Sequence, residues 1–321
     1  MHPVRYHRAA NLAEALALLG TPDARAIGGG TDLLVLLKED LTRASTLVDV
    51  RGLALSETVT ATDDGGLALG GALRIADIAN DAAIRAAYPA LAEAAASVGT
   101  VALRNMGTLG GNLAQRTRCW YFRRGAPTCL KRGGSGCPAR SGANEYHAIV
   151  ESGPCRTVHP SDPAVALAAL DARVELTGPA GVRTLDIAAL FADAARDATR
   201  EAAIAPDELI TRVVLPGARA GGVQRYEKVM QRGAYDFALV SCAASRAEDG
   251  TVRIVLGGVA AGPWQVNSSV EEDVAIGALD DESIDALAER AMYDVEPLAG
   301  NAYKVTIAQA LLRRAMRALG T

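Results

Sequence analysis

Four cysteines, Cys119, Cys129, Cys137 and Cys155, fall within 37 residues of a 321-residue chain, with nine, seven and seventeen residues between them in turn. Four thiolates can ligate a structural zinc ion or an iron–sulfur cluster. Zinc knuckles draw two sulfurs from a tight pair with about two to four residues between the cysteines, and no such pair occurs here. The wide spacing suits a loop wrapped around a larger cubane cluster; spacing alone leaves zinc open. Eight basic residues, Arg104, Arg116, Arg118, Arg123, Arg124, Lys131, Arg132 and Arg140, stand in a window free of Asp and Glu. A thiolate-ligated cluster is anionic, so local cations stabilise it and raise its potential. Gly133, Gly134, Gly136 and Gly142 are expected to let backbone amides approach the sulfurs. The fifth cysteine, Cys242, follows the apolar run Phe237-Ala238-Leu239-Val240 and reads as a buried small hydrophobe.

Two glycine-rich stretches precede the cysteines. Ala26-Ile27-Gly28-Gly29-Gly30-Thr31-Asp32-Leu33 places three glycines between a strand and a helix. Such a turn exposes backbone N–H groups at a helix start, which suits a pyrophosphate. It is neither Gly-x-Gly-x-x-Gly nor a Walker loop. Arg104-Asn105-Met106-Gly107-Thr108-Leu109-Gly110-Gly111-Asn112-Leu113 is the second stretch, suited to another part of the same nucleotide. A tight structural turn accounts for either one taken alone. His159-Pro160-Ser161-Asp162-Pro163 adds a hydroxyl and a carboxylate, with Asp162 read as the N-cap of a following helix.

These residues need elements to position them. Periodicity predicts a helix over Asn11–Leu19, a strand over Ala24–Ile27, a helix over Leu33–Lys38 and a strand over Thr46–Val50, a βαβ-like order. Thr58–Thr62 and Leu67–Leu69 read as a hairpin. Ile75–Asn80 and Leu91–Val98 read as helices, and roughly 115–161 as irregular. Ala164–Leu170 and Ile187–Phe191 are expected helices; Arg173–Leu176, Val182–Thr184 and Ile210–Leu215 are expected strands. Pro216–Gly222 reads as a linker. Beyond it come strand-like runs over Val223–Met230, Ala238–Arg246 and Val252–Val259, then helices over Ser283–Ala291 and Tyr303–Leu319. Strands followed by helices mark an α+β module.

Half the residues are apolar, enough for a sizeable core. With three Phe and two Trp, that core must rest on Ala, Val and Leu. A net charge of -4 argues against a nucleic-acid partner. No apolar run is long enough for a membrane span, so no direct membrane insertion is expected. The first ten residues lack the apolar core of a signal peptide. A cytoplasmic location is expected, or a periplasmic one by export on a partner that carries the signal.

Taken together, the two glycine stretches, Tyr226-Glu227-Lys228 with Arg232 and Ala238, and Gly257-Gly258-Val259-Ala260 resemble the flavoprotein subunit of the xanthine dehydrogenase family over nearly the whole chain. The cysteine loop resembles two branches, the FAD subunits of 4-hydroxybenzoyl-CoA reductase and of periplasmic aldehyde oxidoreductase. It does so through Gln115-Arg116-Thr117-Arg118-Cys119, Gly134-Ser135-Gly136-Cys137 and His159-Pro160-Ser161-Asp162. Tyr235-Asp236-Phe237-Ala238-Leu239-Val240-Ser241 and Gly262-Pro263-Trp264 lean toward the aldehyde branch. The resemblance implies an α+β (α/β) chain. Residues 1–216 would form a two-subdomain FAD-binding fold of the vanillyl-alcohol oxidase (PCMH) type, with subdomains of about 1–53 and 54–216 and a cysteine loop over 115–161. Residues 217–321 would form an α+β domain like that of CO dehydrogenase flavoproteins.

It also implies FAD and a 4Fe-4S cluster as cofactors. The partners would be a large molybdenum-cofactor subunit and a small subunit with two 2Fe-2S clusters. Ala26, Ile27, Gly28, Gly29, Gly30, Thr31, Asp32 and Leu33, with Gly107, Thr108, Gly110, Gly111 and Asn112, would cradle the FAD pyrophosphate and ribityl chain. Ser161 and Asp162 would take a sugar or ribityl hydroxyl. Lys228 would stabilise negative charge on the flavin ring, the alternative being a surface lysine. No catalytic residue is expected in this chain beyond the flavin. Other readings are an aryl-CoA reductase or xanthine dehydrogenase-type FAD subunit, a stand-alone flavin oxidase, and a zinc-stabilised nucleotide-binding adaptor.

Overall fold

Three sheets organise the chain in a computed structural model that describes residues 2–53, 58–277 and 279–320. The first is parallel, with β1 (Arg5–Arg8), β2 (Ala24–Ile27) and β3 (Thr46–Asp49) in the order β1-β3-β2. Helices Leu12–Leu19 and Leu33–Lys38 make its crossovers. Asn11 caps the first helix by accepting the Glu14 amide. The edge strand β1 escaped sequence reading because Arg-Tyr-His-Arg has no apolar alternation, and all four residues are exposed. Its backbone ladder with β3 fixes it, together with the Tyr6 hydroxyl on Asp49 and His7 on Glu14. The expected division at 53/54 abuts residues 54–57, outside the described residues.

The second sheet is antiparallel. It holds β4 (Val59–Ala61), β5 (Leu67–Gly70), β6 (Arg173–Gly178), β7 (Gly181–Asp186) and β8 (Leu209–Leu215) in the order β4-β5-β8-β6-β7. More than 100 residues separate β5 from β6 in the chain, and the helices and the cysteine loop lie in that excursion. The helices Ile75–Asn80, Pro89–Ala96 and Asp162–Ala169 bury their Ala and Leu side chains against this sheet. Asp162–Ala169 is buried on nearly every face, as its almost uniformly apolar sequence requires.

The third sheet, β9 (Val223–Val229), β10 (Val240–Arg246), β11 (Val252–Gly257) and β12 (Trp264–Gln265), runs β12-β11-β10-β9 and is antiparallel throughout. Its core is closed by helices Ser268–Ile276, Asp281–Ala291 and Tyr303–Leu319, and Cys242 is buried there, as expected. The first of these helices was not anticipated; its Ser-Ser-Val-Glu-Glu-Asp opening buries few apolar positions.

Two expectations need correction. Pro216–Gly222 is no free linker: it holds a 3-10 turn, Gly217–Arg219, whose Arg219 is buried and bonds Asp171 at 2.9 Å and the Thr251 carbonyl at 2.8 Å. The second glycine stretch is helical rather than a turn. Helix Val101–Met106 ends at Gly107, and Thr108 then caps helix Leu109–Leu113 by accepting the Gly111 amide.

Candidate functional site

The two glycine stretches meet backbone to backbone. A Cβ on Gly29 would lie 1.8 Å from the Met106 carbonyl oxygen, and one on Gly28 would lie 2.5 Å from Thr108 Oγ1. Only glycine permits that approach, and Gly30 adopts φ +70. The seam opens into a cavity of about 540 Å³ lined by Ala26, Gly28, Thr108, Gly110 and Gly111. Ile27 points the other way, into the core with Leu37 and Leu47, and Leu33 packs on that same core. Thr31 is exposed. Gly107 bonds the Ile75 amide through its carbonyl, fixing the seam to the next helix.

Asp32 does something the sequence did not suggest. It makes no side-chain capping bond to its helix. Its carboxylate instead takes Arg118 Nη1 at 2.6 Å, Arg123 Nη2 at 2.9 Å and the Arg116 amide at 2.8 Å. The first glycine loop is thereby pinned to the cysteine segment.

A second cavity, about 730 Å³, opens beside the cysteine segment. Arg118, Cys119, His159, Ser161, Asp162 and Gly258 are among its walls. Asn112 joins the two regions, because the Ser161 hydroxyl donates to its Oδ1 at 2.5 Å. Ser161, not Asp162, is the helix cap; Asp162 is the first helical residue. There it receives Lys228 Nζ at 2.8 Å and Tyr226 OH at 2.7 Å. Both donors stand on β9 two residues apart and so face the same side. Burial pushes the Asp162 carboxyl up from the usual carboxylate range, opposed by the Lys228 charge. Burial likewise pushes Tyr226 well above the ordinary phenol range. Lys228 is no surface lysine, with 4% of its side chain exposed. Tyr226 was missed as a site residue, although its spacing to Lys228 on a strand was the available signal.

The cysteine segment carries little regular structure beyond helix Trp120–Arg123 and 3-10 turns at Leu130–Arg132 and Pro138–Arg140. Cys137 and Cys155 are hydrogen-bonded to each other. That contact, with burial, holds the Cys155 thiol up, and the same contact pushes the Cys137 thiol well down. Cys119 shares an apolar cluster with Cys129, Leu36 and Phe122, and lies close enough to feel both Cys129 and Cys137. Burial pushes its thiol up to about 11. Cys119 Sγ also meets His147 Nε2 at 3.1 Å. Among the described residues, no three His, Cys, Asp or Glu side chains converge on one position fit for a single ion.

The amides that reach the thiols were expected from the loop glycines. They come instead from Tyr121 and Phe122 to Cys119, Ala139 and Arg156 to Cys137, and Thr157 to Cys155. Gly134 serves a different end: a Cβ there would sit 2.3 Å from the Thr128 backbone.

The basic window is also less free than it reads. The fold brings carboxylates to five of its eight cations: Asp32 to Arg118 and Arg123, Glu201 to Arg116 and Lys131, and Glu151 to Arg140. Their charge therefore fixes the loop rather than standing uncompensated beside the sulfurs. Among the described residues no helix is long and apolar enough to cross a membrane.

Comparison with known proteins places this geometry. Residues 2–218 match the FAD binding domain in molybdopterin dehydrogenase, and residues 225–319 match the CO dehydrogenase flavoprotein C-terminal domain. The chain is 39% identical to the aldehyde oxidoreductase FAD-binding subunit PaoB of Escherichia coli K12, over 97% of this chain and 96% of that one. It is 27% identical to the carbon monoxide dehydrogenase medium chain of Hydrogenophaga pseudoflava, over 98% and 96%. The crystal structure of the Cu,Mo-CO dehydrogenase in its cyanide-inactivated form superposes with a TM-score of 0.76 at 25% identity, over 100% of this chain and 99% of that one. Quinoline 2-oxidoreductase of Pseudomonas putida 86 superposes with a TM-score of 0.75 at 22% identity, over 100% and 99%, and shares the fold.

Proposed function

Because this chain belongs to the FAD-binding subunits of the molybdopterin dehydrogenases, an oxidoreductase family, we propose that it is the FAD- and 4Fe-4S-carrying electron-transfer subunit of an aldehyde oxidoreductase-like molybdenum hydroxylase. In this reading a large molybdenum-cofactor subunit oxidises the substrate. A small subunit with two 2Fe-2S clusters relays electrons to this one, which passes them to an external acceptor. Residues 1–216 would bind the dinucleotide, and 217–321 would form the second domain, whose Tyr226 and Lys228 reach Asp162.

The chain's own residues fit FAD. Gly28 and Gly29 let the two glycine stretches close on each other, and Gly28 lines the cavity into which that seam opens. Gly110, Gly111 and Thr108 line the same cavity, and Asn112 and Ser161 carry the site through to the second. Asp162 is held there by Lys228 to meet a hydroxyl, and Lys228 supplies positive charge beside the ring. When bound, FAD exchanges one-electron arrivals for two-electron departures.

The four cysteines fit a cluster. Backbone amides reach the sulfurs of Cys119, Cys137 and Cys155 and act toward the thiolate that ligates iron, against the burial that raises Cys119 and Cys155. The observation that supports the reading is that Cys119 and Asp162 line one cavity, so the cysteine set adjoins the carboxylate proposed to meet FAD.

Purified protein tests it. Iron with acid-labile sulfide, a flavin spectrum and co-purifying large and small subunits are expected. Changing any of Cys119, Cys129, Cys137 or Cys155 to Ser should cut the iron content, and Cys242→Ser should leave it intact. Zinc without flavin, or a free monomer that turns over substrate, would overturn the reading.

A further inference from the structure

Lys304, in the last helix, is fully buried. Its ammonium donates to the carbonyls of His147 at 3.0 Å and Gly258 at 2.9 Å. Among the described residues it has no carboxylate within ion-pair distance, in contrast to the loop cations that Asp32, Glu201 and Glu151 neutralise. A buried charge left unpaired is costly, so the amine either gives up its proton or gains an anion from outside the chain.

Its two partners say where that anion lies. His147 is the residue whose imidazole touches Cys119 Sγ. Gly258 lines the second cavity, in the left-handed conformation at φ +74 that aims its carbonyl inward to the lysine. The ammonium thus stands one residue behind the cysteine set and one residue behind the cavity wall. The helix that carries it is packed on β10 and β9, so the charge is held in place. Asn301, one turn earlier, bonds the carbonyls of His147 and Ala148 and secures the same backbone.

We propose that Lys304 is a potential-setting residue, a buried amine held in its protonated form by the negative charge of the cluster on the cysteines and of the flavin ring in the adjoining cavity. The inference rests on the cofactor reading above. Each electron received adds a negative charge to its carrier. An uncompensated positive charge nearby in a poorly screened interior favours that reduced form. Lys304 therefore raises both potentials together, while the loop arginines act chiefly as struts. Burial also pushes the amine down to about 7, as expected where the chain itself supplies no counter-charge.

The test is a redox titration of the intact complex, following the cluster by EPR and the flavin by absorbance. Lys304→Gln keeps N–H donors for the two carbonyls and removes the charge; Lys304→Met removes both. In each, flavin and cluster midpoints should move to more negative potential with cofactor content unchanged. Lys38→Met, at an exposed position, should move neither. Equal potentials in wild type and K304Q overturn the proposal. So does failure of both neutral variants to fold, which would make Lys304 a clamp on two carbonyls. A wild-type complex without acid-labile sulfide overturns the cluster reading instead, and the flavin midpoint then still decides the role of Lys304.

Discussion

Lys228 and Asp162 form a buried ion pair, 2.8 Å apart, across the junction between the third sheet and the helix that carries the Ser161 cap. Their side chains are 4% and 6% exposed. Removing one partner strands the other charge in a low-dielectric site, at a cost of about 3–5 kcal/mol. Lys228→Met and Asp162→Asn should each lower the urea midpoint and reduce the flavin-to-protein ratio. The double variant should recover much of the stability, because no lone charge remains, but not the flavin. Equal flavin content in all three would show that the pair serves the fold alone.

The glycine seam gives a graded prediction. At Gly29 an added methyl would meet a backbone carbonyl at 1.8 Å, which can move only with its helix. At Gly28 it would meet the Thr108 side chain, which can rotate. Overpacking of this kind costs about 1–3 kcal/mol. Gly29→Ala should lose bound flavin and melt earlier, and Gly28→Ala should do so less. A flavin assay on both variants reads the difference; the reverse order would contradict the seam described above.

Burial of His159, aided by the Lys131 charge, depresses its imidazole to about 3 from an ordinary 6.5. The unfolded chain therefore binds a proton that the folded chain refuses. The stability contributed by this group is fully present above pH 6.5 and is lost as pH falls toward 3. By pH 5 the loss is about 2 kcal/mol. Thermal unfolding between pH 7 and 5 should show this slope, and His159→Asn should flatten it. An unchanged slope in the variant would assign the acid sensitivity to other groups.

Local elements were legible where local chemistry decides them. The strand Ala24–Ile27 and helix Leu33–Lys38 are bounded by the glycines between them, and sequence and structure agree residue for residue. The helix over Leu109–Leu113 was not legible because glycine and asparagine are poor helix formers. It is set by the Thr108 cap and by packing so close that a Cβ on Gly110 would lie 3.0 Å from the Gly71 carbonyl. The four cysteines could be read from spacing, but their electrostatics could not. Arg118 finds Asp32 across 86 residues, and Lys304 meets the His147 carbonyl across 157. A window without acids therefore looked more electropositive than its folded surroundings are. The domain match from 2–218 and 225–319 brackets the segment that read as a linker, yet buried Arg219 makes that segment a joint.

Glu201 is where the position of the cysteine loop can be separated from its ligands. It is 5% exposed and holds Arg116 at 2.6 Å and Lys131 at 3.2 Å, and Lys131 is itself bonded to the carbonyls of Ala198 and Arg200. Glu201→Gln leaves all four thiols in the chain but removes the charge that seats two of the loop's cations. Lys131, with 1% of its side chain exposed, is then buried beside a neutral amide, which should cost a few kcal/mol. Iron content should fall without loss of any cysteine, while flavin content falls less, since the two glycine stretches also meet each other directly at Gly28 and Gly29. Adding Lys131→Met removes the stranded charge and should restore part of the thermal stability. Iron content equal to wild type in Glu201→Gln would mean that the thiols alone hold the loop in place, and the ion pairs around it would then be incidental to the cluster.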